Sequence, residues 1–405
     1  MTHWKQIALS ALAVAAITGC GDTTITYGDS TVIIGDTTPT TPPDETPEVV
    51  LDLLNAASSL PTETLSGSIA SSTTLTNDKL WLLSGQVVVE SGVTLTIEPG
   101  TVIAGIYGDG AAAGWMVVDK DAMIIADGTA EEPIIFTSQR RVTDPTNNLP
   151  YQWGGLTIIG NAEMTGQVTS YEVTLPRLFV PGSGNAVDNS GILRNVHILN
   201  TGIGVGTGDT EINGLSLVAV GNGTIIEDVT VDYSGDDGIE IWGGTVNLTN
   251  IKISHCTDDH LDVDDGYSGT VKNFEINVLI TGDELGYAGI EQSGQTYAHY
   301  EDFVINIMDQ ESEGGIFFKG TTIGGHFKNG TINYMSEASG AIYSDGDATT
   351  FIEDPSYTTI EGVTINAYPG YAFLNKDNDD TYSADNIENT FFFDGNSYGN
   401  TVEDL

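Results

Sequence analysis

Positive charge is what this sequence has least of. Twelve Lys and Arg stand against 57 Asp and Glu, a formal net charge of −45. Neutralising phosphates takes basic residues, so a nucleic-acid partner is excluded. Cysteine is nearly absent as well, with only Cys20 and Cys256, so no disulfide framework can hold the chain. No apolar run is long enough to cross a bilayer as a helix, and no stretch sustains a 3.6-residue apolar period. Ser-His-Asp, Cys-His and phosphate-loop patterns are missing too, and the many Gly-x-Gly runs read as turns. No nucleotide or redox cofactor is therefore expected. What is present is 40% hydrophobic residues, enough for a packed core, and 49 Gly.

The N-terminus reads as an export signal. Lys5 gives it a basic start, and the apolar run Ile7 to Ile17 is short. Ile17-Thr18-Gly19-Cys20 ends it and resembles the bacterial lipobox, whose Cys is lipidated and becomes the mature N-terminus. The resemblance implies a signal peptide over 1–19, an acylated Cys20 and a membrane partner through that anchor. Gly21 after the Cys favours an outer-membrane destination. Residues 20–62 then read as a Thr/Pro/Asp-rich tether without a single Lys or Arg. Val49 to Ala57 carries the only helical periodicity in it.

From residue 63 to 405 short β-rich runs recur in a long frame. Gly92 to Ile97 aligns with Asp121 to Ala126 at an offset of 29. Leu215-Ser-Leu217, Ile239-Glu-Ile241, Leu261-Asp-Val263, Ile290-Glu-Gln292, Ile316-Phe-Phe318 and Ile342-Tyr-Ser344 form a first column. A second column follows it through Val229, Ile251, Phe274, Phe303 and Val363. Asn277, Asn306, Asn333 and Asn366 close four of the later repeats, where stacked amides can hydrogen-bond. A β-sandwich would put hairpin turns at 8–12-residue spacing. Several strands per 22–33-residue repeat, with no helix between, instead predict an all-β, single-stranded right-handed parallel β-helix of about ten coils.

Glu98-Pro-Gly-Thr-Val-Ile103, Gln152-Trp-Gly-Gly-Leu156, Gly235-Asp-Asp-Gly-Ile-Glu-Ile-Trp-Gly-Gly244 and Asp264-Asp-Gly-Tyr-Ser-Gly269 carry a resemblance. The chain resembles the pectin-lyase-like class of right-handed β-helices, and within it a set of uncharacterised bacterial surface lipoproteins. The resemblance implies fold and envelope location, and transfers no activity.

The strongest chemical feature is acid. Thirteen carboxylates lie between Asp209 and Asp265, with Lys252 the only base among them. Strand alternation turns Ile239 and Ile241 inward and Glu240 and Asp262 outward, stacking Glu240, Asp262 and Glu291 on successive coils. Stacked carboxylates repel, and Ca²⁺ relieves them. Asp236, Asp237, Asp258, Asp259, Asp262 and Asp264 are the expected ligands. A second candidate loop offers Asp377, Asp379, Asp385 and Glu388 at EF-hand-like spacing, but Tyr382 replaces the turn glycine. Trp242, Phe317 and Tyr343 beside Glu240 and Glu291 suggest an extracellular glycan as partner. The alternative to binding is a β-helix polysaccharide lyase or hydrolase. Lys319 lies in the column where a Ca²⁺-dependent lyase would need its base, and Asp259 is a further candidate. Gly235-Asp236-Asp237-Gly238 is similar to the paired Asp of polygalacturonases. That family's Gly-His-Gly and Arg-x-Lys are missing here. His255 and His260 read as solvated turn residues. A third reading is a structural envelope spacer.

Overall fold

The computed structural model describes residues 23–27, 30–34, 46–108, 110–165, 184–204, 212–279, 288–307, 314–320, 323–334, 340–345, 356–367, 371–376, 382–383, 393–394 and 397–398. The chain forms two compact units, Met1–Thr46 and Pro47–Leu405. Among the described residues the first holds an antiparallel pair, Thr23–Tyr27 with Ser30–Ile34. Cys20 and the signal segment lie outside the described residues, as do Asp377, Asp379, Asp385 and Glu388.

The second unit is a right-handed parallel β-helix with three sheets. The first stacks Thr73–Leu75, Thr94–Ile97 and Met123–Asp127, then continues through the first halves of the long strands. Those long strands are Gly191–Leu199, Ile225–Asp232, Asn247–Ser254, Thr270–Val278, Tyr297–Ile307 and Gly324–Tyr334. Their second halves form the second sheet, preceded by Val102–Gly105 and Ile134–Ser138. Trp115–Val118, Leu156–Ile159, Leu215–Val218, Ile239–Trp242, Leu261–Asp264, Ala288–Gln292, Gly314–Phe318, Gly340–Asp345 and Tyr371–Lys376 form the third. The sequence columns fall in register: Thr94 pairs with Met123, and Leu215, Ile239, Leu261, Ile290, Ile316 and Ile342 stack. Ile239, Ile241, Val263, Ile276 and Ile305 are all 0% exposed in one continuous core. Each such side chain contributes about 1.5–3 kcal/mol of burial.

Two side-chain ladders run along the coils. Asn306 Nδ2 donates to Asn277 Oδ1 at 2.8 Å, Asn333 to Asn306 at 2.7 Å and Asn366 to Asn333 at 2.9 Å. The second ladder sits where each long strand bends from the first sheet into the second. Asn195, Asp228, Asn250, Asn273, Asp302 and Asn329 have φ between 47° and 57°, and Gly362 has 62°. Asn, Asp and Gly tolerate that left-handed geometry best. Asn250 donates to Asp228 at 2.8 Å and Asn273 to Asn250 at 2.6 Å.

The tether reading fails over its last stretch. Glu48–Ala57 is a helix, α1, preceded by Pro47, and Val50, Leu54 and Ala57 are buried. The compact unit therefore starts at Pro47, upstream of the boundary at 63 set by composition. The cause is the outer face of the early coils: Leu80, Leu82, Val102, Ala104 and Ile135 face out of the coil and are apolar, and α1 covers them.

Candidate functional site

The outward column of the third sheet reads Thr157, Ser216, Glu240, Asp262, Glu291 and Phe317, each beside the next, with Tyr343 following in backbone register. Pointing outward does not expose it. Glu240 and Glu291 are each 4% exposed, and Asp237 and Asp259, on the turns leading into these strands, are 7% and 5%. Gly235 and Gly238 explain why glycines flank the acid pair. A Cβ on Gly235 would lie 2.3 Å from the Tyr151 ring, and one on Gly238 would lie 2.3 Å from Ile253 Cγ2.

The turn acids also brace the coils. Asp237 N–H donates to Asn213 Oδ1 at 3.1 Å, Asp259 N–H to Asp237 Oδ1 at 2.9 Å and Ala288 N–H to Asp259 Oδ1 at 2.7 Å. Each carboxylate thus caps the backbone of the following coil. Asn213 also donates through Nδ2 to Glu240 Oε2.

Beyond those caps the acids converge. Asp236, Asp237 and Asp258 form one group, Asp237, Glu240 and Asp262 a second, and Asp259, Asp262 and Glu291 a third. In each group one oxygen per residue lies within 4.8 Å of the others. Asp262 belongs to two groups, and its Oδ1 is buried with no hydrogen-bond partner. Burial, then the charges of Glu240, Asp236, Asp262 and Asp259, pushes the Asp237 carboxyl well up. Burial followed by Glu291 does the same at Asp259 and Asp262. Lys319 answers Glu291 at 2.8 Å. Burial opposes its charge, but Glu291, Asp259 and Asp262 outweigh that and raise its pKa. Elsewhere the fold interleaves bases with stacked acids: Arg194 bridges Asp127 at 2.7 Å and Glu227 at 3.0 Å, and Lys272 holds Glu301 at 3.1 Å. Carboxylate oxygens this close, partly desolvated, suit a hard divalent cation bound by oxygen.

Of the six expected ligands, Asp236, Asp237, Asp258, Asp259 and Asp262 come together, joined by Glu240 and Glu291, which had been assigned to glycan. Asp264 is outside the three groups, and its Oδ1 accepts from Asp265 N–H at 2.5 Å. The aromatic platform does not hold. Trp242 is 5% exposed, in an apolar cluster with Trp115, Val117, Ile159 and Val218, and Phe317 is 4% exposed. Neither offers a ring face to a sugar; the Tyr343 side chain lies outside the described residues. His260 is fully buried rather than solvated, with Nε2–H donating to Asn277 O at 2.9 Å, and burial pulls its pKa down to about 3. His255 is buried too, 2.8 Å from Asp232. Cys256 is a buried free thiol. Asn213, the amide joining Asp237 to Glu240, was not singled out in the sequence. Its signal was position: it lies 24 residues before Asp237, the same interval that separates Leu215 from Ile239.

Residues 67–390 match the family model described as a pectate-lyase like beta helix domain. Two solved structures are similar at 10% identity. One is the Streptococcus pneumoniae surface protein and adhesin PfbA, covering 86% of this chain and 92% of that one at a TM-score of 0.28. The other is a Yersinia enterocolitica family 28 exopolygalacturonase, covering 85% and 74% at 0.24. Comparison with curated protein sequences gives no significant match.

Proposed function

The chain belongs to the pectate-lyase-like β-helix family, and from that premise we propose that it is a cation-stabilised envelope scaffold for surface binding rather than a polysaccharide-cleaving enzyme. Ca²⁺, or another hard divalent cation, is held by two or three carboxylates from neighbouring turns of the ladder Asp237, Glu240, Asp259, Asp262 and Glu291. The observation that carries this reading is the buried, unpartnered Oδ1 of Asp262 at the junction of two carboxylate groups. A cation there takes an oxygen that no protein donor reaches.

The inverting-hydrolase alternative, the one the Asp236-Asp237 pair resembles, is weaker on the same geometry. An inverting pair needs carboxyls roughly 6.5–9.5 Å apart with water and sugar between them. Here the oxygens crowd within 4.8 Å, and Asp237 and Asp259 are nearly covered. Asp236, Asp237, Asp259 and Lys319 are accordingly assigned to cation binding and charge balance. Cys20 supplies a lipid anchor at the outer membrane, and the outer faces of the coils meet a glycan or another surface.

Calorimetric titration of Ca²⁺ into the protein tests the cation. Binding that disappears in Asp259→Asn/Asp262→Asn supports the reading, and unchanged binding refutes it. Cys20→Ser tests the anchor, since retention of the variant in the membrane fraction with normal processing would exclude lipidation. A glycan array with and without Ca²⁺, run beside an unsaturated-uronate assay, separates binding from cleavage.

A further inference from the structure

Two of the six histidines meet on the outer face of the first sheet, whereas the carboxylate ladder described above lies on the third. His299 and His326 are register partners on adjacent parallel strands, with ring centroids 4.7 Å apart and planes inclined by 29°. His299 is exposed and His326 partly so. The following strand places Thr359 beside His326, and its hydroxyl lies 2.9 Å from His326 Nδ1. An Nδ1–H donated to that oxygen leaves Nε2 as a bare lone pair. Glu361, two residues along on the same face, is near enough for its charge to act on His326.

We propose that His299 and His326 form a two-imidazole chelate for a borderline divalent transition metal, Zn²⁺ being the physiological choice, with Thr359 orienting the His326 ring. Zinc takes imidazole nitrogen at about 2.0–2.1 Å, so a tetrahedral ion needs two nitrogens about 3.4 Å apart. With Thr359 holding the His326 ring, the exposed His299 ring, stacked on it at 4.7 Å, reaches that by rotating about its soft terminal torsion. The Thr359 contact is the outer-sphere hydrogen bond that metal-bound histidines regularly carry. Glu361 and water are available for the remaining positions. Imidazole discriminates for Zn²⁺, Ni²⁺ and Cu²⁺ and against Ca²⁺, so this site is chemically distinct from the carboxylate ladder and stands whether or not the ladder binds calcium.

The test is Zn²⁺ titration of the full chain in saturating Ca²⁺, for wild type, His299→Ala, His326→Ala and Thr359→Val. The expected result is one Zn²⁺ per chain at this site, weakened tenfold or more by either histidine change and roughly tenfold by Thr359→Val. Melting temperatures and Ca²⁺ binding should match wild type, because all three side chains sit on the surface. Cu²⁺ loaded at one equivalent should give electron paramagnetic resonance couplings from two nitrogens in wild type and one in either histidine variant. Zinc binding that survives both histidine changes, no zinc binding at millimolar metal, or a nitrogen signature unaltered by either change would each overturn the proposal.

Discussion

Asp262→Asn reports directly on the charge balance of the carboxylate ladder. Asp262 has oxygens within 4.8 Å of partners in two groups, so four carboxylates crowd it and Lys319 relieves one side. With an effective dielectric of 20, an ionised pair at that separation costs about 3 kcal/mol. Protonation caps the cost, because holding a proton at pH 7 on a group of ordinary pKa 3.8 takes about 4 kcal/mol. Asn keeps the shape and removes the charge, and the lost attraction to Lys319 takes back part of the relief. The metal-free variant should therefore be more stable than wild type by about 1–3 kcal/mol at pH 7, a rise of a few °C in melting temperature. Calcium should reverse the order. Wild type gains about 2.7 kcal/mol at a hundredfold excess over the dissociation constant, and the variant gains little. Differential scanning fluorimetry with chelator, with Ca²⁺, and with NaCl at matched ionic strength reads this out. If the chelated variant melts below wild type, or if both proteins respond equally to Ca²⁺ and Na⁺, the ladder is neither strained nor a cation site.

Acid should erase the same difference. Asp237, Asp259 and Asp262 are raised in the fold, so the stability they contribute is present below the unfolded pKa and is lost as pH climbs towards neutral; Asp265, raised to about 6, loses its share between about pH 4 and 6. His197 and His260, lowered to about 4 and about 3, act in the opposite sense and cost stability as pH falls below about 6.5. The gap between wild type and Asp262→Asn isolates the acids, and it should close as pH is lowered to about 4; a constant gap would contradict the assignment. Ile241→Asp places an unpaired charge at a 0% exposed position and should prevent cooperative folding, whereas Glu240→Gln retains an acceptor for Asn213 and should fold; circular dichroism melts that are equal for the two would mean the register is wrong. Leu54→Ala in α1 should cost about 2–5 kcal/mol in urea denaturation, and an unchanged midpoint would show that the helix does not contribute to the unit.

The repeat itself was legible in the sequence. Strand side chains alternate with period two and the coils repeat every two to three dozen residues, so Ile239, Leu261 and Ile290 announced both the fold and the stacking of Glu240, Asp262 and Glu291. The Asn277–Asn366 ladder was legible for the same reason. The left-handed column through Asp228, Asn250 and Asn273 was equally present, as an Asn or Asp just before Val229, Ile251 and Phe274, but its meaning depends on a bend that only three-dimensional coiling creates. Exposure was not legible at all. Alternation tells inside from outside of a coil, and it says nothing of what another part of the chain lays over the outside. Only tertiary packing could decide that α1 covers Leu80 and Val102, that Trp242 sits in an apolar cluster rather than facing a glycan, and that the outward Glu240 and Glu291 are buried while Asp262 is partly so. The pairing of His299 with His326 was likewise settled by register, because two residues 27 positions apart become neighbours only when the intervening coil closes at that length.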